Sequence, residues 1–194
     1  MINNKPLDNI FSTVSGQSEL RLSLSDTEWP YTHTTHDRTI VRAIVIDDKE
    51  TFYFVRAERD DDFGRATIIE TSGGGVEPDE DLHAAIRREL SEELGADVDI
   101  LCKLGVVNDY YNLIHRHNIN HYFLCRVRSF GDKHLMPDEI EQFHLSTLKL
   151  SYEEAVAEYE LRTETPLGRL LAQRELPILH HAKQILDETA RSTR

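Results

Sequence analysis

The order of elements along the chain predicts an α/β or α+β sandwich. Runs of β-branched and aromatic residues precede and follow one amphipathic helix, and further helices close the chain. With 194 residues, 39% of them hydrophobic, there is enough material for one good core with short terminal additions. Two domains would be cramped, and there are no internal repeats.

Residues 1–37 are polar and rich in Ser and Thr, and within them Leu20, Leu22 and Leu24 alternate, which fits an edge strand or the arm of a homodimer. The runs TIVRAIVID (39–47) and TFYFVR (51–56) are strands joined as a hairpin through Asp47-Asp48-Lys49-Glu50. A third strand, 66–71, delivers the chain to the loop Ser72-Gly73-Gly74-Gly75. Asp81 then caps a helix over 82–94, which has no internal Gly or Pro, carries apolar residues at 82, 86, 90 and 94, and stops at Gly95. Alternation at Val98, Ile100, Cys102 and Leu104, and again at Phe123, Cys125 and Val127, predicts two more strands. A last strand spans 143–150, and Ser151 caps a short helix through Tyr159. Thr165-Pro166 and Pro177 introduce two further helical pieces, the second ending near Asp187.

Charge narrows the partners. A formal net charge of −13 argues against nonspecific binding to nucleic acid or to anionic membranes, both of which need a basic surface. An anionic substrate must instead be drawn in locally. Cys102 and Cys125 lie in apolar alternating stretches and read as buried thiols of a reducing compartment. The first ten residues do not resemble a signal peptide and no apolar run approaches membrane length, so a soluble cytoplasmic protein is expected.

On the central helix, at about 100° per residue, Glu89, Glu92 and Glu93 fall within one narrow arc beside the apolar stripe of Ile86 and Leu90. Carboxylates that crowded repel unless a cation neutralises them. Oxygen-only ligands favour Mg²⁺ or Mn²⁺ over Zn²⁺, and Mg²⁺ commonly bridges carboxylates to substrate phosphates. Arg88, four residues before Glu92, is placed to orient that carboxylate with a fixed guanidinium fork. The glycine run lets the backbone turn sharply and approach a ligand.

From Gly74 to Ala96 the chain reads Gly74, five residues, Glu80, seven residues, then Arg88-Glu89-Leu90-Ser91-Glu92-Glu93-Leu94-Gly95-Ala96. This resembles the Nudix box, Gx5Ex7REUxEExGU with U aliphatic; Ala96 is smaller than usual, and Ser72 stands where many relatives have Pro. The resemblance implies a Nudix α/β/α sandwich with a mixed sheet over roughly 38–160; the N-terminal extension, 1–37, and a C-terminal helical segment, 161–194, expected to pack on the same domain, lie outside it. It further implies hydrolysis of a nucleoside diphosphate linked to another moiety, X, such as a nucleotide sugar, a dinucleoside polyphosphate or an NTP. In the family the Gly74 position supplies a carbonyl ligand to the metal. Glu93 and Glu89 are then placed as direct ligands and Glu92 as an alternative ligand or base. Some relatives recruit the base from a loop near the positions of Glu139 or Glu141.

Other residues invite a role. His115, His117 and His121 form a weak zinc pattern, with no Cys nearby. Arg42 and Arg56 lie among apolar strand neighbours and are candidates to reach substrate phosphate, the alternative being structural ion pairs. Tyr110 and Tyr111 lie where diadenosine polyphosphate hydrolases of the family carry a base-stacking tyrosine; Tyr111 is the candidate here, and a core or sheet-edge residue is the equal alternative. The downstream Pro of many ADP-ribose hydrolases, the NADH hydrolase pattern and the coenzyme A signature are all missing. A nucleotide-sensing domain without catalysis is the rival reading, although silent relatives generally lose box glutamates. An isopentenyl diphosphate isomerase would need a catalytic Cys and further metal ligands that the sequence does not place.

Overall fold

The apolar run beginning at Thr39 forms the central strand because both its faces are covered. The structure, a computed structural model, describes residues 18–134 and 144–192. In it β1 spans Leu20–Leu24, β2 His36–Ile46, β3 Phe52–Asp61, β4 Gly64–Glu70 and β5 Ser72–Gly75; helix α1 spans Leu82–Leu94. After it come β6 (Ala96–Tyr111), a 3₁₀ turn at Asn112–Ile114, β7 (Arg116–Phe130), β8 (Ser146–Leu150), α2 (Tyr152–Leu161), a second 3₁₀ turn at Arg162–Glu164 and α3 (Pro166–Ser192). From Ile40 onward every residue of β2 is buried, the pattern of a strand sandwiched between layers.

One mixed sheet runs in the order β1-β6-β7-β2-β3-β4, with β5 added to β2 and β8 to β3. β1 lies parallel to β6 and β2 parallel to β7, while the remaining pairs are antiparallel. Ile44, Ile46, Tyr122 and Leu124 pack on one face against Ile178, Leu179 and Ala182 of α3. Val41, Ala43, Val45 and Phe123 pack on the other against Ala85, Ile86 and Leu90 of α1. A helical layer on each face makes the α/β/α sandwich. Asp81 caps α1 by accepting from the amides of His83 (2.8 Å) and Ala84 (3.0 Å), and Gly95 closes it in the left-handed region at φ 66°.

Four local expectations change. The glycine run is not a free loop: Ser72–Gly75 pairs with Ile40–Ala43 as a short strand, because glycines let the two backbones meet closely. At Gly73, φ is +146° and an added Cβ would stand 2.0 Å from the Val41 carbonyl oxygen. Pro177 does not divide the C-terminal segment, since α3 runs through it. An interior proline costs about 3 kcal/mol, and the buried stripe of Leu170, Leu171, Ile178, Leu179, Ile185 and Leu186 on both sides of it offsets that cost. Cys125 is buried but Cys102 only partly so; burial pushes the Cys102 thiol up to about 11. The last strand starts at Ser146, and its expected first residue, Phe143, lies outside the described residues.

Ile86 is fully buried between α1 and the sheet. Ile86→Ala is expected to destabilise the fold by about 2–5 kcal/mol, read as a lower midpoint in urea unfolding with the slope unchanged.

Candidate active site

The site grows from one register. Helix α1 begins at a fixed cap, so Glu89 and Glu93, one turn apart, face the sheet, and both are only 9% exposed. Glu92 lies at the edge, with its side chain 38% exposed. Above them runs β5. The Glu89 carboxylate sits so close beneath Gly74 that a Cβ there would meet both its oxygens at 2.5 Å. Glu93 is held from the same strand: its Oε2 accepts the Ser72 hydroxyl and the Gly73 amide, the latter at 2.9 Å.

Arg88 ties the cluster together. Its Nε and Nη2 form a fork on Glu80 (3.0 and 2.9 Å), Nη1 donates to Glu89 (2.7 Å) and Glu92 (3.2 Å), and Nη2 also donates to the Gly75 carbonyl (3.0 Å). A guanidinium has five N–H donors, and all are used. The fork therefore grips Glu80, not Glu92 as the four-residue spacing suggested; Glu92 receives a single, longer bond. Glu80, fixed in the motif eight residues ahead of Arg88, is the residue whose part the helical spacing alone did not reveal. The hydrogen bond from Arg88 holds the Glu80 carboxyl below its ordinary range, and Glu80 in turn raises Arg88 further above its own.

Glu89, Glu92, Glu93 and Gly74 line one cleft of about 490 Å³. Arg38, Arg42 and Arg59 line the same cleft. Arg42 is among them, but its Nε donates to Asn120 (3.1 Å) and Nη1 to the Thr71 carbonyl (3.1 Å), with Glu70 at 3.5 Å. Arg56 is not brought to the cleft. In β3 the side chains of Val55, Ala57 and Arg59 share the cleft face, so the pleat sends Arg56 to the other side, where it pairs with Glu58 at 3.4 Å. Arg38 and Arg59 are the arginines that sequence reading missed. The available signal was strand alternation, which puts Arg38 on one face with Ile40 and Arg42, and Arg59 on one face with Ala57. Arg59 is paired with Asp61, whereas Arg38 has no acidic partner among the described residues. Tyr111 lies outside the cleft lining: it is buried, and its hydroxyl accepts from Arg174 at 2.9 Å.

The three histidines do not share a site. His115 stacks on His33, with ring centroids 4.1 Å apart, whereas His117 stacks on Tyr110 and meets Asp37 at 2.9 Å. His121 lies four residues further along β7, about 13 Å at the rise of a strand. Glu139 and Glu141 lie outside the described residues.

Among the described residues no three His, Cys, Asp or Glu side chains converge as a finished metal cluster, and Arg88 bridges two of the carboxylates. The chemistry of the wall nonetheless suits a hard divalent cation. Its acidic side chains, Glu89, Glu92 and Glu93, offer only oxygens, and Gly74, which lines the same cleft, leaves the Glu89 carboxylate uncovered by any side chain of its own.

A family model described as the NUDIX domain matches residues 36–168. No curated protein matches the sequence. Among solved structures, a NUDIX hydrolase from Nitrosomonas europaea aligns at 20% identity with a TM-score of 0.57, covering 76% of this chain and 90% of its own. A MutT protein from Methanosarcina mazei Go1 aligns at 19% identity and TM-score 0.55, over 76% and 94% of the two chains. A UDP-X diphosphatase aligns at 16% and 0.52, over 79% and 66%. At these identities the likeness is one of fold.

Two expected outcomes follow from Arg88. Lysine keeps the charge but offers three donors in place of a planar fork, so Arg88→Lys should cost about ten- to a hundredfold in activity or metal affinity; unchanged values in a metal titration would count Arg88 out of the site. The lowered Glu80 pKa means that the Glu80–Arg88 pair stabilises the fold above the unfolded carboxyl's range and loses that contribution as pH falls through the lowered folded value. Glu80→Gln should therefore lower the melting temperature at neutral pH, with the gap to wild type closing in acid.

Proposed function

We propose, on the premise that this chain belongs to the Nudix family and is a pyrophosphohydrolase of nucleoside diphosphate derivatives, that it is a Mg²⁺-dependent enzyme acting on a small nucleotide linked to a second moiety. The observation that carries this reading is the single cleft in which box carboxylates and arginines of the sheet face a common space. Nudix hydrolases generally use a divalent metal, and here Glu89, Glu93 and the Gly74 carbonyl would hold it. When bound, it neutralises pyrophosphate oxygens and activates the attacking water.

The remaining work belongs to the chain. Arg38, unpaired among the described residues, is the readiest cation for substrate phosphate, while Arg42 is already engaged with Asn120 and the Thr71 carbonyl. Glu92, the most exposed of the three carboxylates and held by one bond to Arg88, accepts the proton of the attacking water. The water oxygen bonds to phosphorus, the bridging P–O bond breaks, and the leaving phosphate carries away the bridging oxygen. Ser72 and the Gly73 amide keep Glu93 from swinging as charge shifts. Arg88, bonded to both Glu89 and Glu92, fixes where these two carboxylates stand in the cleft.

The test is a panel of nucleotide sugars, ADP-ribose, dinucleoside polyphosphates and NTPs, with products separated by chromatography and Mg²⁺ varied. Hydrolysis of at least one class is expected, abolished by excess EDTA and restored by Mn²⁺. Turnover that persists in EDTA would overturn metal dependence; tight nucleotide binding with no turnover would favour a sensing domain. Glu92→Gln and Glu93→Gln should each lower kcat by about a hundredfold or more, while the apo fold keeps or gains stability because one charge leaves a repelling cluster. Wild-type kcat in both variants would remove these residues from the chemistry.

A further inference from the structure

Beneath the cleft lies a second charged cluster that the hydrolytic reading does not use. Arg174 and Glu175, adjacent on α3, are 1% and 0% exposed. Both lie beyond the matched family region, which ends at residue 168. Arg174 donates to Glu70 (2.9 Å), Asp109 (3.2 Å), the Tyr111 hydroxyl (2.9 Å) and Glu175 (2.8 and 3.0 Å). Glu175 also accepts from the Tyr122 hydroxyl at 3.1 Å and from the Thr71 hydroxyl at 3.0 Å. Buried ions are costly, and well-packed apolar residues in their place are often as stable or more so. Their retention in a core asks for a role other than stability.

Thr71 supplies one. It is 1% exposed and clamped twice, its hydroxyl by Glu175 and its carbonyl by Arg42 at 3.1 Å. The next two residues are Ser72 and Gly73, which hold Glu93. We propose that Glu175, locked by Arg174, is a positioning residue: through Thr71 it sets the start of β5, and so the Ser72 and Gly73 donors that aim Glu93 into the cleft. Helix α3 thereby tunes a site built by residues about a hundred positions earlier, with no contact to substrate.

This rests on Glu93 being a ligand of the hydrolytic metal, so the test carries a readout that needs no substrate. Four full-length proteins are compared: wild type, Thr71→Val, Thr71→Ser and Tyr122→Phe. Mn²⁺ binding to the substrate-free protein is followed by the loss of free-ion signal in electron paramagnetic resonance, alongside melting temperature, kcat and KM. Valine matches threonine in shape and removes only the donor to Glu175, whereas Tyr122→Phe removes a different donor to the same carboxylate without touching β5. Thr71→Val should weaken Mn²⁺ binding and lower kcat by about tenfold, the lower end of what supporting partners of metal ligands contribute, with KM little changed. Thr71→Ser should restore both. Tyr122→Phe should lower the melting temperature while leaving Mn²⁺ affinity and kcat at wild-type values.

Wild-type Mn²⁺ affinity and kcat in Thr71→Val would overturn the proposal, as would equal losses in Thr71→Val and Tyr122→Phe, which would mark the cluster as merely structural. Should Thr71→Val not fold, Glu175→Gln supplies the same contrast with Tyr122→Phe. If the wild type binds Mn²⁺ but hydrolyses nothing in the panel, the hydrolase reading falls while the Mn²⁺ comparison still decides this one.

Discussion

Carboxylates crowded on one edge of a half-buried helix repel one another unless something cationic holds them, and in this protein Arg88 holds Glu89 and Glu92. With every donor engaged, its guanidinium joins Glu80 in the turn before α1, Glu89 and Glu92 along the helix, and the Gly75 carbonyl across from it. Helix, glycine strand and acidic wall are thereby fixed as one unit. Much else follows from that clustering of charge. The wall suits the divalent cation proposed for it because its carboxylates are already gathered.

The sheet supplies what the helix lacks. In a chain with thirteen more acidic than basic residues, positive charge for a polyphosphate must be placed locally, and β2 and β3 bring Arg38, Arg42 and Arg59 to the cleft. Such a cleft can concentrate an anion near an otherwise repelling surface. Beneath it the buried cluster is balanced differently. Burial works against charge on Arg174, but Tyr111, Tyr122, Glu175 and Asp109 around it keep it firmly protonated. Burial likewise works against ionising Glu70, yet Arg42 and Arg174 hold its pKa below the ordinary value. Arg174 and Glu70 are thus both held in their charged forms beneath the cleft, which gives the local geometry a fixed pair.

What was legible in the candidate site was what a helix repeats. Glu89, Glu92, Glu93 and Arg88 could be placed on one edge because their spacing is local and α1 has a clear cap and stop. The partners of Arg88 were less legible: four residues' spacing pointed to Glu92, while the fork closes on Glu80 across the turn that precedes the helix. The arginines show the same limit. Arg56 sits in the more apolar stretch and drew attention, but the pleat of β3 turns its neighbour Arg59 toward the cleft. Tyr111, suggestive in position, is claimed by Arg174, more than sixty residues away in sequence.

Determined by the sequence alone were the element order, the hairpin, the capped helix with its acidic edge, and the family to which the box points, because hydrophobic period, capping and motif spacing are properties of near neighbours. Decided only in three dimensions were the pairing of Ser72–Gly75 with β2, the passage of α3 through Pro177, the choice among arginines, and the contact of Glu175 with Thr71. Each of these depends on which backbone or side chain comes to lie opposite once the sheet has closed. Glycine will form a loop or a close strand, and proline will end a helix or ride within one; burial against the sheet selects between the two.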